Sequence, residues 1–386
     1  MTALTAYIGA RIFDGAQWHD DAALLTADDR IAGIAPLADL PADAARIELD
    51  GGMLVPGFID LQVNGGGGVL FNNDPSLEAI RTICAAHARF GTTALLPTLI
   101  TDTVEVNERA IAAGIAAAEA RVPGFIGLHL EGPHLALARK GTHDGALIRP
   151  MEDADLARIL AARRALPNLL VTVAAETVTP PQIEAMANAG IVVSIGHCDA
   201  TAATVAAAYA AGAGMATHLF NAMSQLGSRE PGVVGAVLVH DNVHAGLIAD
   251  GIHVHPDSIR VALRAKPGPG RIFLVTDAMS QTGTDITTLT LNGRTITRAN
   301  GALRLPDGTL AGADLDMIDA IRFMHEKIGL PLEEALRMAS LYPAEALGIT
   351  AIHGTLQQGR SASFVHLSDS LAVETTWIAG EKRYAR

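Results

Sequence analysis

Apolar residues along this chain follow two rhythms. Near both ends they alternate with polar ones, as in AYIGARIF and ALLTADDRIAGIAPL at the start and SASFVHLSDSLAVETTWIAGEKRY at the finish. That period of two marks strands with one face buried. Between the ends, short continuous apolar runs are separated by Ala-rich stretches of helical length. Strands apolar on both faces belong to parallel sheets covered on both sides. The runs are LVPGFIDLQV, TTALLPTL, FIGLHL, NLLVTVAAE, IVVSIG, GMATHLF, HAGLIAD and RIFLVTD. Eight strand-helix units over roughly 300 residues is the arithmetic of an α/β chain folded as a (β/α)8 TIM-like barrel. The expected division is a barrel over residues 56–352 and a small β-sandwich domain built from both chain ends, 1–55 and 353–386.

Some helix ends are readable. Asp199-Ala200-Thr201 offers capping side chains before an Ala-rich stretch that ends at Gly212. Leu330-Pro331 followed by Glu333 and Glu334 predicts another start, with proline in the first turn and acids at the positive end of the helix dipole. Gly65 to Gly68 resembles a phosphate-cradling loop, but the Lys-Ser/Thr of a P-loop is missing. A flexible strand-to-helix loop is expected there.

Composition narrows the class. A chain of 386 residues, 49% hydrophobic and 18% charged, can bury a large core. No apolar stretch approaches the roughly 20 residues of a membrane span, and the N-terminus lacks the basic region and apolar core of a secretory signal. A cytoplasmic location and no membrane partner are expected. The net charge of −13 without a basic stripe argues against nucleic acid. Small anions stay admissible, because charges beyond about 8 Å are largely screened. The two cysteines, Cys84 and Cys198, form no disulfide framework. Cys198 reads as a buried small residue, since nothing nearby would lower its pKa.

The chemistry lies at the strand ends. Glu131, His197, His218 and Asp277 each follow one of the apolar runs closely, and the carboxyl ends of barrel strands converge on one face. Each alone has an ordinary structural explanation: a hydrogen-bonded histidine, a salt-bridged glutamate, an aspartate capping a helix in TDAMS. Together, Glu131, His197 and His218 offer two nitrogens and a carboxylate, a common catalytic zinc set that leaves a position for water. His129 alternates with Leu128 and Leu130, which suits a place in the barrel layers. The role of His134 stays open.

At these residues the sequence resembles a known family. PGFIDLQVNGGGG (56–68), HLEGPH (129–134), GTHDGALI (141–148), GHCDAT (196–201), THLFNAM (217–223), REPG (229–232), ADGIHV (249–254) and LVTDAM (274–279) are similar to the motif set of the N-acetylglucosamine-6-phosphate deacetylases, within the amidohydrolase superfamily. The resemblance implies a metal-dependent hydrolase acting as a homodimer on a phosphorylated amino sugar, with Asp277 as catalytic proton carrier. It places Thr142 and His143 against the substrate, Asn221 and Ala222 on the phosphate side, and Leu310-Ala311-Gly312 in a substrate-contacting turn. Arg229 matches a phosphate-binding arginine, whose alternative is an ion pair with Glu230. His253 matches a substrate-binding histidine, with His255 a weaker candidate. Arg229 and His253 are expected to complete the neighbouring subunit's site.

Two departures matter. Many amidohydrolases carry His-x-His at the first strand end, where this chain has Gln62-Val63-Asn64. Vacant second-metal positions follow, and therefore one divalent metal per subunit: zinc first, with iron, manganese or cobalt as alternatives. Ala313 stands where the family usually has serine. The competing functions are the galactosamine epimer's deacetylase, a cyclic-amide hydrolase and a barrel without catalysis. The second normally needs a modified lysine at the fourth strand end, where this chain has Glu176.

Overall fold

The computed structural model describes residues 4–266 and 268–386. Its centre is a barrel of eight parallel strands: β1 (Phe58–Val63), β2 (Thr92–Ile100), β3 (Leu128–Glu131), β4 (Leu169–Val173), β5 (Val192–Ile195), β6 (Met215–Ala216), β7 (His244–Leu247) and β8 (Ile272–Leu274). They are hydrogen-bonded in chain order. All eight apolar runs supply these strands, which are almost wholly buried, as strands covered by helices outside and packed side chains inside must be.

The seam between β8 and β1 is closed by other means. Asp277 N donates to the Gln62 carbonyl at 3.0 Å and Asn64 N to that of Ala278 at 2.8 Å. Beneath them the fully buried Asp60 accepts from Thr276 Oγ1 at 2.5 Å. Part of the barrel interior is polar. His129 Nε2 meets Thr172 Oγ1 at 2.7 Å, and that hydroxyl meets Thr217 Oγ1 at 2.7 Å. Burial pushes the His129 pKa down to about 4, against the pull of Glu131. His129 thus belongs to the layer below the strand ends.

Helices follow the strands with local reasons for their ends. Thr201 caps Ala202–Ala210 by accepting from Thr204 N at 3.3 Å. Asp199 turns instead to Arg139, at 2.7 Å. Pro331 stands at the cap of Leu332–Ala339, one position before the expected first turn.

Both chain ends form the small domain. Leu4–Ile8 lies in a four-stranded sheet, while Met53–Pro56 pairs antiparallel with Phe364–Leu367 in a six-stranded one. Tyr7 lies 4.8 Å from Phe364 and 5.2 Å from Trp377, ring centre to ring centre. These rings knit the N- and C-terminal segments into one apolar cluster.

Two expectations need correction. The strand-helix alternation is interrupted after β8 by an antiparallel sheet of Thr288–Leu291, Arg294–Ala299, Ala302–Arg304 and Leu310–Ala313. Its first two turns carry Asn292-Gly293 and Asn300-Gly301, all four at φ between 48° and 72°, the conformation of tight hairpin turns. The Gly65–Gly68 segment is not a flexible loop either. Gly65–Gly66 pairs with Val69–Leu70, and His87 Nε2 donates to the Gly65 carbonyl at 2.9 Å. A side chain at Gly65 would meet the Val69 carbonyl oxygen at 2.3 Å, so glycine is required for this close approach.

Candidate active site

Glu131 ends β3, His197 and His218 follow β5 and β6, and Asp277 follows β8. The last three adopt φ of 45°, 31° and 52°, a left-handed conformation unusual for residues with a Cβ. All four line one cavity of about 490 Å³, within the range of small-molecule sites.

Three ligand atoms converge there. Glu131 Oε1 lies 3.2 Å from His197 Nε2 and 3.2 Å from His218 Nε2, and the two nitrogens are 3.1 Å apart. Atoms bound tetrahedrally at about 2.0 Å would stand roughly 3.3 Å from one another. His197 Nδ1 donates to the Arg139 carbonyl at 2.8 Å, so its Nε2 lone pair points into the triangle, the usual support for a metal-bound histidine. Burial opposes charge on Glu131 and His218. Even so, the histidines hold the Glu131 pKa well below the usual carboxylate range, and Glu131 lifts that of His218. A positive charge is thus favoured at the triangle, and the donors fit a divalent cation.

His143 also approaches, since Glu131, His143 and His197 offer ligand atoms within 4.8 Å of one another. Its hydrogen bonds assign it another role. Nδ1 accepts from Thr101 N at 3.3 Å and lies 2.8 Å from Thr101 Oγ1. The ring proton must then sit on Nε2, which makes that nitrogen a donor. Burial, reinforced by His197, keeps the ring neutral.

Amides occupy the His-x-His positions. Gln62 Nε2 donates to both Glu131 oxygens at 3.3 and 3.2 Å, and Asn64 Nδ2 donates to Asp277 Oδ1 at 2.6 Å. Burial and the neighbouring Glu131 charge raise the Asp277 pKa to about 6. No helix begins at Asp277, which removes the capping explanation.

Thr142, His143, Asn221, Ala222, His253, Leu310 and Gly312 also line the cavity. Thr142 Oγ1 and Asn64 Oδ1 are buried without a protein partner, as expected of groups that bind substrate. Other expectations shift. Ala311 is fully buried in the apolar cluster of the inserted sheet, so its side chain faces away. His253 lines its own chain's cavity, held by Asp250 at 2.6 Å, and needs no second subunit to reach it. Arg229 is exposed and outside the cavity wall. It forms no ion pair with Glu230 among the described residues; Glu230 accepts from Ala202 N and Gly232 N at 2.8 and 3.0 Å. His255 caps Pro256–Ala265, and His134 Nδ1 bonds the Arg149 carbonyl at 3.1 Å away from the cavity. Glu176 faces Cys198 and Asp199 N, at 2.9 and 2.7 Å. Burial, then the Glu176 charge, pushes the Cys198 thiol far up, so it is no nucleophile.

Sequence reasoning missed Arg139 and Arg304, both in the cavity wall. Arg139 lies between the quoted motifs HLEGPH and GTHDGALI, three residues before Thr142. Arg304 belongs to the inserted sheet, whose Asn-Gly turns were its visible signal.

Comparison with known proteins shows the family of the chain. The amidohydrolase family matches residues 53–383 and the NagA composite domain residues 1–54. The chain is 42% identical to an N-acetylgalactosamine-6-phosphate deacetylase of Shewanella sp. (strain ANA-3), covering 97% of this chain and 95% of that protein. A crystal structure of N-acetylglucosamine-6-phosphate deacetylase from Pasteurella multocida superposes with a TM-score of 0.95 at 34% identity, covering 99% of this chain and all of that one. A mutant of the Mycobacterium smegmatis enzyme in complex with N-acetyl-D-glucosamine-6-phosphate gives a TM-score of 0.91 at 32% identity, with both chains fully covered.

Proposed function

From the premise that this chain belongs to the amidohydrolase family, among its N-acetylhexosamine-6-phosphate deacetylases, we propose that Glu131, His197 and His218 hold one divalent metal and that Asp277 moves the proton. The reaction is hydrolysis of the acetamide of an N-acetylated hexosamine 6-phosphate to the free amine and acetate, a step of amino-sugar catabolism. The observation that carries the reading is the triangle of Glu131, His197 and His218 atoms at 3.1–3.2 Å with Asp277 in the same cavity.

When bound, a divalent cation lowers the pKa of water and draws electron density from a carbonyl oxygen. The chain's own residues do the rest. Asn64 holds one oxygen of Asp277 and leaves the other to accept the proton of the attacking water. As the C–N bond breaks, the loaded Asp277 returns that proton to the departing nitrogen. His143 donates its Nε2 proton towards the acetamide oxygen as negative charge gathers there. His253, oriented by Asp250, and Asn221 hold the sugar.

Zinc suits the two-nitrogen, one-carboxylate set, with iron, manganese or cobalt also matching those donors. The Gln62 and Asn64 amides favour a count of one. The motif set and the solved relatives favour the glucosamine substrate. The 42% identity to the Shewanella enzyme favours the galactosamine epimer as a second reading, and comparing kcat/KM for the two sugars decides between them. A cytoplasmic homodimer is the proposed form, meeting through the face of Arg229, where Leu226 and Val239 stand 57% and 75% exposed. Chelation should abolish amine release, and about one equivalent of zinc per chain should restore it. A requirement for two would overturn the single-metal reading.

A further inference from the structure

One buried carboxyl takes no part in the chemistry described above. Asp60, on β1, is fully enclosed beneath the strand ends that carry the site. Its partners are three donors rather than a cation: Gln62 N at 3.2 Å, Thr276 N at 3.3 Å and Thr276 Oγ1 at 2.5 Å. Burial, with an addition from the Asp277 charge, pushes its pKa up to about 7 against the pull of those donors. An uncharged side chain of similar volume would fill this space at lower cost. Packing alone therefore does not account for an aspartate here.

The identity of the donors does. Thr276 immediately precedes Asp277 and is itself fully buried. Its hydroxyl gives its proton to Asp60 Oδ2 and accepts from Ala278 N at 3.3 Å, so the Thr276 side chain reaches across Asp277 to the residue beyond it. Asp60 Oδ1 meanwhile fixes the Gln62 peptide, whose carbonyl accepts from Asp277 N at 3.0 Å. From the inserted sheet, Ala313 N donates to the Asp277 carbonyl at 2.9 Å. These bonds surround one residue whose φ of 52° is unfavourable without outside support. The carboxyl presented by that turn accepts from Asn64 Nδ2 at 2.6 Å.

We propose that Asp60 and Thr276 are positioning residues for the reaction, a buried carboxyl–hydroxyl clamp that holds Asp277 in its left-handed turn and aims the proton carrier into the cavity. Neither residue lines the cavity, so both act through Asp277. This rests on the deacetylase reading and adds to it the device that keeps its proton carrier in place.

The test compares Thr276→Val, Thr276→Ser and Asp60→Asn with the wild type, each as the zinc-loaded full chain, by steady-state turnover of the two N-acetylhexosamine 6-phosphates and by crystal structures. The wild type comes first: amine release from neither sugar defeats the deacetylase reading itself, and the crystal structures then decide whether the clamp holds Asp277. Valine keeps the volume of Thr276 and loses the hydroxyl. Thr276→Val should lower kcat by about 10- to 100-fold, the scale of a misplaced catalytic group, with KM and bound zinc nearly unchanged. Thr276→Ser keeps the hydroxyl and should recover most of that loss, which a space-filling role would not produce. Asp60→Asn should lose at least as much as Thr276→Val, because its amide turns a donor towards donors. Should that variant fail to fold, the Thr276 pair decides alone. In the Thr276→Val structure the Asp277 carboxyl should part from Asn64. A normal kcat in Thr276→Val overturns the proposal, as does a loss that serine does not recover, or an Asp277 that keeps both its turn and its Asn64 bond in the valine variant.

Discussion

His197, His218 and Asp277 combine catalytic side chains with left-handed backbone at φ of 45°, 31° and 52°. Such conformations cost on the order of 1–3 kcal/mol each and persist where the surroundings enforce them. Here they turn each side chain from its strand end into the cavity. The four strand-end residues were legible because an apolar run stops at or just before each one. The backbone turn was not, since nothing in a histidine's neighbours announces φ above zero. The residues missed, Arg139 and Arg304, are ordinary surface types, and only tertiary placement gives them meaning. For the proton carrier, Asp277→Asn should keep the metal, measured by elemental analysis, and lose about 10²–10⁴-fold in kcat. Near-normal turnover would contradict its role. For the metal count, the double change Gln62→His with Asn64→His should raise bound zinc from one towards two per chain. An unchanged count would show that those amides are not what excludes a second ion.

Elements were legible in proportion to their burial. The barrel strands are apolar on both faces and announced themselves. The inserted sheet has short strands with exposed alternate positions, as in Thr288–Leu291, and its turn signals lay inside what read as a continuing strand-helix alternation. The Gly65–Gly66 hairpin was missed because glycine marks freedom as readily as close approach, and its partner His87 lies on Leu77–Ala88, 22 residues away. That contact is pH-sensitive. Burial holds the His87 pKa down to about 4 from 6.5, opposed by the Gly65 carbonyl. A depressed pKa adds stability above pH 6.5 that is lost as pH falls towards 4. Thermal or urea melts should therefore show the wild type losing more stability over that window than His87→Gln, by up to about 3 kcal/mol at about 1.36 per pKa unit. Parallel pH profiles would show that His87 is not held neutral.

At the scale of the molecule, the barrel is framed by a domain that neither chain end could build alone. Alternation at both ends predicted the two-ended assembly, and pairing of Met53–Pro56 with Phe364–Leu367 confirms it. The exact partners were not readable, because alternation gives a face without a register. Trp377, 2% exposed between Tyr7 and Phe364, joins the two ends. Trp377→Ala should cost about 3–5 kcal/mol in denaturant unfolding, and a loss below about 1 kcal/mol would show that the cluster does not hold the ends together. No helix is long and apolar enough to cross a membrane among the described residues. The central claim is metal-dependent removal of acetate from a phosphorylated amino sugar at the triangle of Glu131, His197 and His218. The most direct test follows acetate and free amine together from N-acetylglucosamine 6-phosphate and N-acetylgalactosamine 6-phosphate, with zinc-loaded and chelated protein. Equal release of both products from at least one sugar, abolished by chelation and restored by zinc, is the predicted result. No release from either sugar with zinc bound, or release that survives complete removal of metal, would contradict it.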